Sequence, residues 1–168
     1  MAKKPNQTVF LVDDEPIQNE MLKDYLAERF NFSFHLFDNG EEALSNMRLS
    51  PAIVILDYHL NAHNNAAKNG VQILREIKEQ YPDTQVIMVS GQDKIQVAVD
   101  SMKYGAYDYI VKGETTFSKM ENTLKRIAEL EESRFAYESS KKSIRFLIIA
   151  MIGILVLSAL LLLNGGRL

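Results

Sequence analysis

Three acidic residues follow directly on an apolar run near the start of the chain, in the sequence VFLVDDEP at residues 9–16. Another acid, Asp57, follows the apolar run AIVIL, while Ser90 and Lys112 follow two further runs of this kind. Carboxylates that lie close together repel one another unless a cation sits among them, and hard oxygen ligands of this kind suit Mg²⁺. If the fold brings these acids together, the sequence therefore predicts a magnesium site.

The elements that must position these residues are short apolar runs that alternate with segments of helical period. Each run has the length of a strand and is rich in Val, Ile or aromatic residues. The five runs are Thr8 to Val12, Phe32 to Phe37, Ala52 to Leu56, Gln85 to Val89 and Tyr107 to Val111. Strands that alternate with helices predict an α/β fold with a mainly parallel sheet and helices on both faces.

The carboxyl ends of parallel strands share one edge of a sheet, and ligands bind there. We therefore expect the polar residues that follow the runs to gather at that edge. They are Asp13, Asp14, Asp57, Ser90 and Lys112.

Two of the predicted helices carry apolar stripes at three- and four-residue spacing, which indicate the faces that pack on the sheet. The stripe of the first helix consists of Ile17, Met21, Leu22 and Tyr25. The fifth helix begins near Phe117, and its stripe continues through Met120, Leu124 and Ile127.

The amino-acid composition argues against several classes of function and of binding site. The chain has 168 residues, 46% of them hydrophobic, and a formal net charge of -3, so no overall basic field favours a nucleic-acid partner. The absence of cysteine excludes disulfide scaffolds, thiol chemistry and cysteine-based metal sites. The opening MAKKPNQT is followed by only four apolar residues before the acids, and we therefore expect no signal peptide.

The order of these residues on a five-fold βα chain resembles the receiver domain of two-component response regulators. The residues that carry the resemblance are Asp13, Asp14, Asp57, Ser90, Tyr109 and Lys112. It covers roughly residues 7–128 and implies a doubly wound, flavodoxin-like sheet with strand order 2-1-3-4-5. It also implies that a histidine kinase or a histidine phosphotransfer protein is the phosphoryl donor.

By this resemblance, Asp57 is the phosphoacceptor. Asp13 or Asp14, together with Asp57 and the backbone carbonyl of His59, would hold Mg²⁺. A carboxylate can attack phosphorus to form an acyl phosphate, provided that cations offset the repulsion between the two anions. The resemblance therefore implies that this chain is a phosphoacceptor with at most self-dephosphorylation activity, rather than a classical enzyme.

The remaining three residues complete the implied switch. Ser90 would hydrogen-bond to a phosphoryl oxygen, Lys112 would form an ion pair with another, and Tyr109 would be the switch aromatic. The sequence departs from the family at Gly113, where a proline usually follows the lysine.

A second departure is the loop between Asp57 and Gly70, which is longer than is usual in the family and lacks its proline. The loop contains His59 and His63 at four-residue spacing, so a metal site formed by these two imidazoles is an alternative.

Residues 146–163, FLIIAMIGILVLSALLLL, contain no charge, and a helix of this length nearly spans a bilayer. Lys141, Lys142 and Arg145 precede the stretch while only Arg167 follows it, which favours a receiver on the cytoplasmic side. We therefore expect a receiver at 1–128, a helical linker at 129–143, a single-pass inner-membrane helix at 144–163 and a short tail at 164–168. The alternatives are a buried or oligomerising helix and a lipid-anchor signal.

Two further readings of the whole chain stay open. The linker is too short for an output domain, and we expect output through an unknown downstream protein or through the receiver surface. A receiver-like module that acts as a membrane scaffold without phosphorylation is the main alternative. A haloacid-dehalogenase-like phosphatase is the other, although it expects a second Asp two positions after the nucleophile, where this chain has His59.

Overall fold

The computed structural model describes residues 7–60, 68–91 and 95–165. In the last helix it describes side chains as far as residue 153, except at 135, 138–140, 142 and 143. The chain divides into two compact units, Met1–Thr123 and Leu124–Leu168, and each is described by itself.

The first unit is built on one five-stranded parallel sheet. Its strands are β1 (Thr8–Val12), β2 (Ser33–Phe37), β3 (Ile53–Asp57), β4 (Gln85–Ser90) and β5 (Asp108–Val111). The order across the sheet is β2-β1-β3-β4-β5, and every neighbouring pair is parallel. The predicted α/β class and the strand order 2-1-3-4-5 are therefore confirmed.

Helices connect the strands as the alternating pattern predicts. They are α1 (Pro16–Ala27), α2 (Gly40–Ser45), α3 (Gly70–Gln80), α4 (Ile95–Lys103) and α5 (Thr116–Gly165), with a 3-10 turn at Met47–Leu49 after α2. The start of α3 is fixed by a capping box: the Asn69 side chain accepts from the Gln72 N–H, and the Gln72 side chain accepts from the Asn69 N–H.

The core lies around the two central strands. All five residues of β3 are buried, as are four of the five in β1, because a parallel sheet with helices on both faces hides both sides of its middle strands. Phe10, Met47 and Ile73 are fully buried in one cluster with other apolar side chains. This packing places the ends of β1 and β3 rigidly side by side.

The predicted buried face of α1 is wrong at two of its four positions, whereas Leu22 is buried and Tyr25 is partly buried as expected. Ile17 and Met21 of α1 are 77% and 56% exposed, whereas the buried residues of this helix are Asn19, Leu22 and Leu26. The three buried positions also have three- and four-residue spacing, but the stripe includes an amide. The apolar count misplaced the face because the buried Asn19 serves hydrogen bonding rather than hydrophobic packing.

The fifth helix begins one residue before the predicted start and continues to Gly165. In the part of the chain that the structure describes, no helix combines the length and the apolar character that a membrane crossing requires. Residues 154–163 of the predicted span lie outside the described side chains. The membrane-spanning part of our prediction is therefore not confirmed.

Candidate functional site

The predicted site residues lie at one edge of the sheet, at the carboxyl ends of its strands. Asp13 follows β1, Asp57 ends β3, Ser90 ends β4 and Lys112 follows β5. The register places Asp57 opposite Val89, one residue before Ser90. Three neighbouring strands, β1, β3 and β4, therefore deliver polar groups to one place.

Three carboxylates come together at this edge. One oxygen from each of Asp13, Asp14 and Asp57 lies within 4.8 Å of the others. The Asp57 side chain is only 3% exposed, and its Oδ2 accepts a hydrogen bond of 2.7 Å from the His59 N–H. So much negative charge in so small a volume is unfavourable without a cation.

The donor set fits a hard divalent cation. The buried Asp14 Oδ2 has no hydrogen-bond partner among the described residues. Buried polar atoms normally have partners, so this oxygen, in a cluster with two other carboxylates, points to a ligand that completes it. Carboxylate oxygens are the ligands that Mg²⁺ takes in proteins.

Lys112 supplies the positive charge of the site. Its Nζ lies 2.8 Å from Asp13 Oδ2 and 2.9 Å from Asp57 Oδ1. Burial alone would lower the pKa of Lys112, but its hydrogen bonds and charge interactions with the two carboxylates outweigh this effect and raise the pKa. The lysine is therefore charged at neutral pH and bridges the two acids.

The electrostatics of Asp57 differ from those of a surface acid. Burial raises the pKa of Asp57, and the charge of Asp13 raises it further, while Lys112 opposes both effects. A carboxylate that is costly to ionise gains from any cation that binds beside it. The site therefore favours a bound cation for its charge as well as for its geometry.

The backbone of the Asp57 turn is held from two sides. The Tyr58 N–H donates to the Val89 carbonyl of β4 at 2.8 Å, and the Gly70 N–H of α3 donates to the Tyr58 carbonyl at 2.9 Å. This places the turn between β4 and α3 and fixes the direction in which the Asp57 side chain leaves the strand.

Asn19 is a residue of this site that the apolar pattern of the sequence does not reveal. This α1 residue is 3% exposed, and its Nδ2 donates toward the carbonyls of Leu11, Asp13 and Phe37 at 3.3 to 3.4 Å. It thereby ties α1 to the ends of β1 and β2, beside the acidic pair. The available signal was its three-residue spacing from Leu22, which repeats the helical period on the buried face.

Ser90 and Tyr109 lie on neighbouring strands. Ser90 is fully buried, and its carbonyl accepts from the Lys112 N–H at 2.8 Å, so the last residue of β4 is joined to the residue that follows β5. Tyr109 pairs with Met88 across the sheet and packs, partly buried, against the hydrophobic core. Both residues are therefore close in the fold to Lys112.

The loop after Lys112 is closed by a side chain rather than by a proline. The Gly113 N–H donates to Thr116 Oγ1 at 2.7 Å, and the Thr116 hydroxyl donates to the Gly113 carbonyl at 2.8 Å. Thr116 is buried, so these bonds are shielded from water. They restrain the backbone at the position where the sequence departs from the family.

His63 of the alternative imidazole site lies outside the described residues, as does the rest of 61–67. The backbone N–H of His59 belongs to the carboxylate site, through its bond to Asp57.

A cavity of about 220 Å³ opens beside the carboxylates. Asp13, Asp57 and Lys112 form its polar wall, and side chains of α1 and α5 that include Met21 and Phe117 form its apolar wall. The buried Asp57 carboxylate is therefore accessible to a small group that enters from this side.

Comparison with known proteins identifies relatives of this chain. It is 27% identical over 132 residues to a probable C4-dicarboxylate response regulator, DctR, of Halalkalibacterium halodurans. The matched region covers 77% of this chain and 55% of DctR. It is 36% identical over 105 residues to the transcriptional regulatory protein CssR of Bacillus subtilis, covering 62% of this chain and 44% of CssR. The chain thus spans about half the length of these curated relatives.

Solved structures agree with the sequence comparisons. The receiver domain of NtrX from Brucella abortus is 28% identical, with a TM-score of 0.64, over 72% of this chain and 98% of that domain. The family model described as the response regulator receiver domain matches residues 9–125, which include the carboxylate cluster and all of the sheet except the first residue of β1. The chain therefore belongs to the response regulator receiver family, whose domains accept a phosphoryl group on an aspartate.

Proposed function

We propose that Asp57 is the phosphoacceptor of this receiver and that a histidine kinase or a histidine phosphotransfer protein is its donor. The observation that carries the proposal is the position of the Asp57 carboxylate, which is buried among two other acids and bridged by Lys112. Asp57 also lines the cavity, together with Asp13 and Lys112.

Asp13, Asp14 and Asp57, with the backbone carbonyl of His59, would hold one Mg²⁺. When bound, this ion would supply positive charge near the incoming phosphoryl oxygens and the acceptor carboxylate.

The residues of the chain have separate tasks in the transfer. An oxygen of Asp57 forms a bond to phosphorus while the bond from phosphorus to the donor's histidine nitrogen breaks. The His59 N–H donates to Oδ2 and thereby orients the carboxylate plane. Lys112, already within 2.9 Å of Oδ1, pairs with a phosphoryl oxygen and offsets the added negative charge.

Ser90 and Tyr109 would couple phosphorylation of Asp57 to a conformational change at the protein surface. The Ser90 hydroxyl would move toward a phosphoryl oxygen, and Tyr109 would turn into the space that Ser90 leaves. Tyr109 is only partly buried, which leaves it room to move. The surface formed by α4, β5 and the start of α5 would then differ between the two states and bind a downstream partner differently.

We propose further that residues 144–163 anchor the protein in the cytoplasmic membrane with the receiver in the cytoplasm. Phe146, Ile149 and Met151 expose 72%, 69% and 64% of their area, which is unfavourable in water. The uncharged stretch 146–163 and the basic residues before it support a membrane as the surrounding medium. A tether would raise the local concentration of a membrane-bound donor.

A phosphorylation-independent scaffold stays the second candidate. The long Asp57–Gly70 loop and Gly113, both departures from the family, favour it. In that case the carboxylate cluster would bind Mg²⁺ without accepting a phosphoryl group.

The test uses the full chain with Mg²⁺ and the phosphoryl analogue beryllofluoride, followed by ¹⁹F NMR, and then labelled acetyl phosphate. We expect one bound beryllofluoride and one acid-stable, base-labile phosphoryl group, both lost in Asp57→Asn. The matched control is Asp38→Asn, which changes an exposed acid that follows β2 and should leave both signals intact. Binding of Mg²⁺ without either signal would favour the scaffold.

A further inference from the structure

Gly70, the first residue of α3, lies against the backbone of the phosphoacceptor turn. A β-carbon built on Gly70 would overlap the Asp57 carbonyl oxygen and would lie 2.8 Å from the Tyr58 Cα. Both atoms belong to the main chain, so no flexible side chain could move aside to make room. Any larger residue at position 70 must therefore displace either the start of α3 or the Asp57–Tyr58 peptide.

The backbone conformation of Gly70 does not itself require glycine. Among the described glycines, only Gly105 has a positive φ, at 90°. Asn69 and Gln72 already cap the helix, and alanine has the higher helix propensity at an ordinary helical position. Close approach to the Asp57 turn is therefore the physical reason for glycine here.

We infer that Gly70 is a positioning residue for phosphoryl acceptance, an inference that rests on the proposed role of Asp57. Its N–H holds the Tyr58 carbonyl at 2.9 Å, while β4 holds the Tyr58 N–H. Displacement of this turn carries the Asp57 carboxylate with it, away from the Lys112 Nζ at 2.9 Å. Sub-ångström placement of the acceptor thus depends on the missing side chain at position 70.

The test compares three glycine-to-alanine variants of the full chain for beryllofluoride affinity at saturating Mg²⁺, measured by ¹⁹F NMR and expressed per folded molecule. Gly70→Ala should bind about 10- to 100-fold more weakly, because small misplacements in a site of this kind have large effects. Gly91→Ala, whose β-carbon would meet nothing within 4 Å, should match the unmodified chain.

Gly40→Ala controls for general destabilisation. Its β-carbon would lie 2.6 Å from the Ile73 Cδ1 of the core, and its three nearest neighbours are side-chain atoms of Ile73 and Leu60 rather than backbone atoms of the Asp57 turn. We expect Gly40→Ala to melt at a lower temperature yet to retain its beryllofluoride affinity. If it loses the same affinity as Gly70→Ala, or if Gly70→Ala binds normally, the positioning role is wrong while the proposed function stands. An unmodified chain that binds no beryllofluoride overturns both.

Hydrogen exchange in the unmodified chain decides the question even if Gly70→Ala does not fold. Mg²⁺ with beryllofluoride should slow exchange of the Gly70 amide several-fold, since its bond to Tyr58 braces the occupied site. The Gly105 amide, bonded to the Met102 carbonyl at 3.1 Å, should exchange at the same rate with and without the ligands. A Gly70 amide that does not respond would contradict the inference.

Discussion

The apolar side chains of β1 and those of residues 146–152 in α5 lie in opposite environments. In β1, Val9, Phe10 and Leu11 are fully buried, whereas Phe146 and Ile149 of α5 are mostly exposed. The strand is held by close packing, so the carboxylate that follows it has a fixed position. The described side chains of residues 146–152 have no comparable burial, which is why we propose an apolar surrounding for them.

The proposed phosphoryl chemistry and the proposed membrane attachment belong to different units of the chain. Every residue proposed to take part in phosphoryl acceptance lies in Met1–Thr123, and every residue proposed to contact lipid lies in Leu124–Leu168. The two functions should therefore be separable by substitution.

The largest expected effect is on membrane association. Lysines at Met151 and Ile152, which lie near the middle of the uncharged stretch, should together cost roughly 5–7 kcal/mol of insertion free energy. Flotation with vesicles of neutral lipid should show the double variant released, with beryllofluoride binding unchanged. Lysines at the exposed Ser133 and Ala136 of the same helix are the control. Flotation of the Met151/Ile152 variant with the vesicles would refute the anchor.

The next prediction compares an isoleucine-to-alanine substitution in the buried core with the same substitution in the exposed part of α5. Ile73→Ala removes a fully buried side chain from the core cluster and should lower the free energy of unfolding by about 2–5 kcal/mol. Ile148→Ala acts on a residue that is 52% exposed and should change that free energy by about 0.5 kcal/mol or less. Urea denaturation of the metal-free chain in detergent measures both. Equal losses would mean that Ile148 is packed against protein.

A third prediction concerns Lys112, a partly buried cation of the first unit. Lys112→Met removes the charge that bridges Asp13 and Asp57, and phosphorylation by acetyl phosphate should slow about 100-fold. The exposed Lys119→Met is the control, because it removes one positive charge from α5 at a distance from the carboxylates. If both variants react at the same rate, Lys112 has only a structural role.

Sequence patterns predicted the order of elements well, because periodicity reports burial directly. The strand that begins at Thr8 was placed at its observed bounds, and Asp57 and Lys112 were assigned to the strand ends that the sheet brings together. The α1 face was misjudged because an apolar count cannot recognise a buried amide such as Asn19, whose bonds go to carbonyls of other segments.

Two other features could not be read from the sequence for a similar reason. The requirement at Gly70 comes from a backbone more than ten residues earlier in the chain, and Thr116 replaces a proline through bonds that depend on the loop closing. Both are contacts between segments, and neither leaves a local periodic signal. The positions of the acids can be predicted from the sequence, whereas the contacts that fix their orientation are seen only in the three-dimensional structure.

The smallest expected effect concerns the charge of Asp57, whose side chain is 3% exposed. Burial raises the pKa of its carboxyl group above the ordinary value of 3.8, with Asp13 adding to the effect and Lys112 opposing it. The folded chain therefore holds this proton more tightly than the unfolded chain. It follows that the contribution of Asp57 to the stability of the fold is lost as pH rises from 3.8 through its folded-state pKa.

In metal-free buffer at neutral pH, Asp57→Asn should therefore melt at a higher temperature than the unmodified chain. The partly buried Lys112 keeps Asp13 as its partner in the variant. The difference in melting temperature should shrink as the pH falls toward 3.8, where Asp57 becomes neutral in the unmodified chain too. Asp38→Asn, at an exposed position, should show no such trend. A less stable Asp57→Asn variant, or a difference that does not depend on pH, would mean that the ion pair with Lys112 outweighs the burial of the charge.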